Sequence, residues 1–566
     1  MNRRRLRCWA GLALAVALLS GCVRVPTSGP VVRVEASRAP VNAGVRVNPH
    51  PPAHGASAAD VVEGFLMAMA ADESGFATAR QYLTDEAAQP WNPDEGVKIY
   101  ASGVSPEERN GRWVLDAGVV GVLAADGTYQ QASDQVSHDF GVVRDANGEW
   151  RVSQPPAGLL ISQSLFPAAF VRVVVYHHAP SASWLVADPR YFPRGPRARE
   201  LAARAVLAGP PEWLSGAVDP PPPGLSLADI SVSETGLVRI GVAAASPPSP
   251  EAARRIAAEL VWTFRSFAYV SHVSIEDASG RPWSLPRVAP GPLAIDAFAE
   301  ASPSDAQLSR QLFVVNRGHL ARAVDVGGSV QMVAVAPAAS HVTAADVRGD
   351  GSQAAVVENG TTIRLVGVSE DSSQQELSAG AVGRPDYARQ GEVFVPVDGG
   401  VRVLTGGSWR PTPVAGLPAG SVTRVRVAPD GVRIAIVVRL PDGRGALGIA
   451  RVERSSGGVT LSGWREVVVQ ARDDRPAPVL DVGWDTDSSL MVVADLGGNA
   501  VVVQTGQEGG VATNLGPAST EGLSEISVAP GVAPVVLRDS GEVLRYSSNL
   551  RWLPYMTGVT GVIYPD

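Results

Sequence analysis

The sequence predicts a multidomain protein: two α+β domains followed by an all-β propeller of about six blades. Three observations carry that expectation. Two successive blocks, 57–160 and 165–288, place helical periodicity beside alternating, strand-like runs. Beyond residue 300 helical periodicity almost vanishes, and in its place one strand–turn–strand unit recurs to the end of the chain.

The N-terminus reads as an export signal. Arg3, Arg4, Arg5 and Arg7 precede an apolar run from Trp9 to Leu19. A basic head before an apolar stretch of about 7–15 residues is a secretory signal, too short to cross a bilayer as a helix. The run closes in Leu19-Ser20-Gly21-Cys22, which resembles the bacterial lipobox. That resemblance implies removal of residues 1–21, an S-diacylglyceryl group on Cys22, and an N-acyl chain such as palmitate on the freed amine. Arg3-Arg4 is a poor match to the remainder of a twin-arginine signal, so general secretion is expected. Cys8 leaves with the signal, and Cys22 is then the only cysteine of the mature chain. An intrachain disulfide and a multi-cysteine zinc site are thereby excluded. Two or three acyl chains hold a protein stably on a membrane. No later segment approaches about 18 uninterrupted apolar residues, so the lipid is the expected anchor.

Removing residues 1–21 from the 566 leaves 545, enough for three or four domains. The net charge of −8 becomes −12, because the signal carries four arginines and no acid. Such a balance argues against nucleic acid or anionic lipid as partners bound through bulk charge. Lys98 is the only lysine, an Arg bias that with the abundant Ala, Gly and Pro looks like a GC-rich coding sequence.

Residues 22–56 hold Pro26, Pro30, Pro40, Pro49, Pro51 and Pro52 with little periodicity, and read as a Pro-rich, mostly unstructured tether. In the first domain, 57–160, Ser57 is placed to cap a helix, with Asp60 three residues on. Val61/Val62, Phe65/Leu66 and Met69 give the helix its apolar face. A second helical stretch, Ala77–Leu83, precedes strand-like runs at Trp113–Leu123, Phe140–Val143 and Trp150–Val152. Turns at Asp126-Gly127 and Asn147-Gly148 separate them, and Gln154-Pro155-Pro156 reads as the end of the strands. In the second domain, 165–288, Phe170–Tyr176 is a buried-strand candidate. A helix follows from near Pro196 to the stop at Gly209-Pro210-Pro211. Thr235-Gly236 then turns a hairpin between Leu225–Val232 and Leu237–Val242. Ser249-Pro250 opens a helix in which Ile256, Leu260, Phe264 and Phe267 share a face, before a short strand around Val273 and Ile275.

The repeat occupies 300–566. Val342-Thr-Ala-Ala-Asp-Val-Arg-Gly-Asp-Gly351 leads into Ala354–Val357, and Val422-Thr-Arg-Val-Arg-Val-Ala-Pro-Asp-Gly431 into Ile434–Val438. Leu480–Asp487 and Leu523–Gly531 are further copies, with looser ones beginning near Gln311 and Glu392. Each is an alternating strand, a tight turn and an apolar strand, spaced by roughly 40–60 residues, near the length of a four-stranded blade.

No catalytic constellation stands out. Gly349-Asp-Gly351-Ser-Gln-Ala354 matches Gly-x-Gly-x-x-Ala, but a strand rather than a helix follows it, so it reads as a blade turn. Lys98 is in no Gly-rich loop, and Gly-x-Ser-x-Gly is absent. His50 and His54 are separated by Pro51 and Pro52, which forbid the helix that a metal pair would need. His177-His178 sits at a strand end, where adjacent side chains face opposite ways. Solvated histidine in a tether or at a loop edge is the expectation for both pairs. Asp94-Glu95 and Asp473-Asp474 read as solvated loop acids, and Asp485-Thr-Asp487 as a blade turn rather than a calcium loop. The expectation is no enzyme, no cofactor and no metal.

The lipobox, the helix Val61–Met69 followed by Ala79-Arg-Gln-Tyr-Leu-Thr84, and the later repeat together resemble the actinobacterial LpqB lipoproteins. The second domain is similar to the GerMN module. Val171–Tyr176, Ala202-Ala-Arg-Ala-Val-Leu-Ala-Gly-Pro210, Val232–Ile240 and Leu260-Val-Trp-Thr-Phe264 carry that likeness. The resemblance implies a lipid-anchored protein on the extracytoplasmic face of the cell membrane. It also implies binding to the extracytoplasmic domain of a sensor histidine kinase, that of the Mtr two-component system, and modulation of its signalling in envelope homeostasis and division. Cys22 is the one site residue it supplies. Two other functions compete with it. A glycan- or peptidoglycan-binding module would gather Trp409, Trp464, Trp484 and Trp552 on one exposed face. A propeller hydrolase would cluster Asp, His or Arg at one mouth of the channel.

Overall fold

The structure, a computed structural model, describes residues 49–71, 74–304, 308–470, 476–519, 522–547 and 550–565. These residues belong to one compact unit. Cys22, the signal peptide and nearly all of the tether lie outside them.

The first helix, Ala58–Met69, begins at the expected cap: Ser57 Oγ accepts from Asp60 N at 3.2 Å, while Asp60 Oδ2 accepts from Ser57 N at 3.0 Å. Its apolar face shares one core with a six-stranded sheet. The long strand Arg112–Leu123 pairs with Glu107–Arg109 and Gln135–Asp139 along its first half, and with Val97–Tyr100 and Tyr129–Gln131 along its second. Leu115 and Leu123, from the two halves of this strand, enter one core with Phe65, Trp91 and Phe140. Leu159–Ser162 then joins the sheet in parallel beside Val97–Tyr100. Phe166, Ala169 and Phe170 pack in the same core. The first domain therefore runs past Gln154-Pro155-Pro156 and past residue 160. Those prolines mark a loop before a buried strand whose four residues are too few to show a period.

In the second domain Phe170–His178 pairs with Leu185–Pro193 as a two-stranded hairpin. The second strand has no counterpart in the sequence reading, because its Asp188-Pro189-Arg190 centre looks like a turn. Helices Arg197–Ala208 and Pro250–Phe264 pack between this hairpin and a four-stranded sheet. In that sheet Leu225–Val232 and Leu237–Ala244 form the expected hairpin, His272–Asp277 runs parallel to the latter, and Leu293–Ala294 closes the edge. Phe298 and Ala301 also belong to this core, so the domain extends beyond residue 288. A two-residue strand leaves no periodic trace in a sequence.

The remainder forms six four-stranded antiparallel sheets, the blades of a propeller, numbered I–VI here in chain order. Blade I takes three strands from 313–334 and its innermost strand, Gly561–Ile563, from the C-terminal end, which closes the ring. The innermost strands pack side by side around the axis. Four of them, Val342–Val347, Ser421–Val427, Val479–Trp484 and Leu523–Ser527, share a bulge near their start, after Val342, Val422, Val479 and Leu523. A shared bulge at one position is the structural form of the sequence repeat.

Candidate functional site

Two arrangements of polar side chains distinguish this molecule: a charged ring on the propeller axis, and the joint that fixes the second domain to blades IV and V.

The ring grows out of the inner strands, whose side chains at alternating positions point to the axis. Asp346 Oδ2 accepts the N–H of Tyr387 from blade III at 2.8 Å, and Asp386 Oδ2 accepts that of Val427 from blade IV at 2.6 Å. Asp481 Oδ2 accepts from Ile526 N of blade VI at 2.9 Å, and Glu525 Oε2 from Val562 N of blade I at 3.2 Å. Between blades IV and V an indole does the same work, with Trp484 Nε1 donating to Arg426 O at 3.0 Å. Each carboxylate thus satisfies a neighbouring blade's buried N–H. Arg384 donates to Val562 O at 2.8 Å and lies within 3.7 Å of Asp481 and Glu525, while Arg426 faces Asp386 at 3.3 Å. Burial pushes the Asp386 carboxyl up to about 7, nearby Asp346 adding to the rise against the pull of Arg426. Asp346 is raised too, again chiefly by burial. Asp and Arg residues from different blades, the kind of cluster expected of a propeller hydrolase, do gather on the axis. One oxygen each of Asp346, Asp386, Asp481 and Glu525 is engaged in holding blade to blade, a pattern of structural cross-links.

The joint is built from the hairpin Phe170–His178/Leu185–Pro193. Arg172 forms a forked pair with Glu508, Nε to Oε1 at 2.7 Å and Nη2 to Oε2 at 3.1 Å, and also donates to Ser488 O at 2.8 Å. Tyr176 Oη donates to Asp487 at 2.7 Å and Tyr191 Oη to Glu508 at 3.0 Å. Burial, followed by the charge of Glu508, raises the Tyr191 phenol well above its ordinary range. From the propeller side the fully buried Arg433 pairs with Asp430 and donates to Ala187 O at 2.8 Å and Asp487 O at 2.7 Å. Val432 enters an apolar cluster with Ala179, Val186 and Leu214, and Trp184 Nε1 donates to Asp430 O at 3.0 Å. The first domain adds Gln131, whose amide bonds both N and O of Val468, at 2.6 and 3.0 Å. Buried, hydrogen-bonded and apolar contacts together make this a fixed joint.

The other sequence candidates fall as follows. His177 and His178 are not solvated: they are buried on opposite sides of their strand, His177 Nε2 beside Asp188 Oδ2 at 3.2 Å and His178 Nδ1 beside Glu259 Oε1 at 2.9 Å. Their carboxylate partners lie far along the chain or on the unforeseen strand, so the pairing left no local signal. Burial pushes Asp188 up, but Arg190 and His177 together hold it below the ordinary carboxylate range. His54 is exposed and pairs with Glu149, and His50 offers its carbonyl to Tyr82 Oη at 2.7 Å. Asp94 is exposed and pairs with Arg197 at 3.1 Å, whereas Asp473-Asp474 lie outside the described residues. Asp350 ties its own turn through Ser352, and a strand follows, Gln353–Glu358. Asp485 accepts from Gln504, while Asp487 serves the joint. Trp409, Trp464, Trp484 and Trp552 sit in four different blades. Trp409 and Trp552 each donate to the preceding blade, at Gln375 O and Leu515 O, so no aromatic face forms.

The chain matches two family models, "Lipoprotein LpqB, N-terminal domain" over residues 51–167 and "Lipoprotein LpqB beta-propeller domain" over residues 311–565. A Lipoprotein LpqB of Cutibacterium acnes is 31% identical over 582 residues, covering 98% of both chains. The chain belongs to the LpqB lipoprotein family. Another LpqB, from Streptomyces avermitilis, is 25% identical over 613 residues, covering 100% of this chain and 99% of its own. That of Mycolicibacterium smegmatis is 24% identical, covering 92% and 97%. Among solved structures, a nidogen/laminin complex gives a TM-score of 0.36 at 12% identity, covering 45% of this chain and 97% of that one. TolB from Acinetobacter baumannii gives 0.35 at 16%, covering 54% and 86%. As a member of a lipoprotein family, the chain is a lipid-anchored envelope protein. No helix among its described residues is long and apolar enough to cross a membrane.

Proposed function

We propose that the protein is an extracytoplasmic, lipid-anchored adaptor without catalytic activity. It binds the extracytoplasmic domain of a two-component sensor kinase, that of the Mtr system, and modulates its signalling in envelope homeostasis and division. The observation that carries this reading is the fixed joint. Arg172–Glu508, Tyr176–Asp487 and the buried Arg433 hold the propeller rigidly on the preceding domains, so the whole presents one preorganised surface. A rigid surface loses little conformational entropy on docking. Engagement of the axial carboxylates in cross-blade bonds favours an adaptor over a propeller hydrolase. S-diacylglyceryl-Cys22, with its N-acyl chain, is the expected anchor.

The test is co-purification of the full lipidated chain with the kinase from detergent-solubilised envelope, followed by binding of the purified kinase's extracytoplasmic domain. Saturable binding supports the adaptor. Absence of the kinase from the captured material, and no binding of the purified domain, sinks it.

A further inference from the structure

A cleft of about 540 Å³ opens on the second domain, away from the propeller joint. It lies where Leu237–Ala244 and the parallel His272–Asp277 end and where the helix Pro250–Phe264 begins. Pro247, Pro248 and Pro250 form one wall, and Trp283 stands among the other lining residues together with Asp277 and Arg281. Prolines in a wall keep its shape without rotamer freedom to lose.

The polar rim is held just as firmly. Asp277 Oδ1 accepts from Ser279 N at 2.8 Å, Ser279 Oγ at 2.6 Å and Arg281 N at 3.0 Å. Those bonds hold the Asp277 carboxyl below its ordinary range and fix its orientation. The turn is closed by Asp277 N donating to Arg281 O at 2.8 Å, with Gly280 in the left-handed conformation that the tight reversal requires. Among the described residues, Asp277 Oδ2, the Arg281 guanidinium and Trp283 Nε1 make no hydrogen bond, and all three residues line the cleft. A cleft of this size with an apolar wall and a few polar groups that keep hydrogen-bonding capacity has the make-up of a ligand site.

The lining chemistry narrows the ligand. One carboxylate and one guanidinium leave the rim neutral, which selects neither polyanions nor polycations. An indole, a proline wall and adjoining donors and acceptors match a molecule with an apolar face and a hydroxyl edge. We propose that this cleft binds an oligosaccharide of β-linked N-acetylhexosamines. The C–H face of one ring packs on Trp283, its acetamido methyl meets the prolines, and its hydroxyls bond Asp277 and Arg281. This ligand is additional to the kinase partner and independent of it.

The experiment titrates the full mature lipoprotein, in detergent micelles, with tetra-N-acetylchitotetraose, reading heat and tryptophan fluorescence. Saturable binding is expected, weakened at least about tenfold by Trp283→Leu, the equivalent of one aromatic contact. Arg281→Gln, an exposed change that leaves the fold intact, weakens it at least about threefold. Trp409→Leu, in the propeller, leaves it unchanged. Absence of saturable binding overturns the proposal. So does a response to Trp409→Leu equal to that of Trp283→Leu, or a cleft that takes an apolar peptide but not the sugar.

Discussion

Glu259 accepts two hydrogen bonds from His178, one from the backbone N–H at 3.0 Å and one from Nδ1 at 2.9 Å, both through Oε1. The first of these belongs to a series. Along the same strand Val174 N donates to Ser266 Oγ at 3.2 Å and Tyr176 N to Thr263 Oγ1 at 3.1 Å. Three alternate N–H groups of an edge strand are thereby satisfied by polar side chains of the helix Pro250–Phe264 and the turn after it. This explains a buried Glu and a buried Thr beside an otherwise apolar face. Glu259→Ala removes the acceptor and leaves a buried N–H orphaned, at a cost of about 1–3 kcal/mol. Glu259→Gln keeps an acceptor and costs less than half as much. Urea unfolding of the two variants measures the difference, and an Ala variant as stable as the parent refutes the argument.

Arg172 and Glu508 supply the second prediction. The pair is bidentate, and the Arg172 side chain is 29% exposed against 7% for Glu508, so solvent screens it only in part. A double-mutant cycle with Arg172→Ala and Glu508→Ala should return a coupling of about 1–2 kcal/mol. Either variant should also expose the 485–488 turn to faster amide exchange, since Arg172 bonds the Ser488 carbonyl. Additive single effects with unchanged exchange mean that the joint does not depend on this pair.

The same residues show where the sequence was legible. Ser57 with Asp60, Ser249-Pro250 and Thr235-Gly236 announce their helices and hairpin because caps and tight turns are settled by neighbours in the chain. The propeller repeat is legible because every blade solves the same packing problem with a strand, a turn and a strand. Leu185–Pro193 is not, because Asp188 and Arg190 look solvated until the propeller, the helices and His177 surround them. The axial ring escapes for a related reason. Asp346 and Tyr387 are far apart in sequence, and each looks like an ordinary strand residue until the ring closes.

Asp386 makes stability depend on pH. Its folded value of about 7 lies above the ordinary carboxylate range, so the folded state binds a proton that the unfolded chain releases near pH 4. The stabilisation this provides is fully present below about pH 4 and is lost as pH rises through about 7. Asp386→Asn keeps an acceptor for Val427 N but cannot titrate. The Tm of the variant relative to the parent should therefore climb between pH 5 and pH 8. A constant difference across that window rules out titration of Asp386.

Cys22 lies outside the described residues, and its test is one of address. Acyl chains contribute about 0.8 kcal/mol per buried CH₂, an attachment that high salt does not screen. Without residues 1–21 the net charge is −12, which disfavours adsorption to anionic headgroups, and no described helix is apolar enough to span. Cys22→Ala should consequently leave the three domains folded, with the parent's unfolding transition. The processed protein should move into the aqueous phase on detergent partition, or the precursor should accumulate with its signal uncleaved. A cleaved Cys22→Ala chain that stays with the membrane through a high-salt wash means that something other than lipid holds it there.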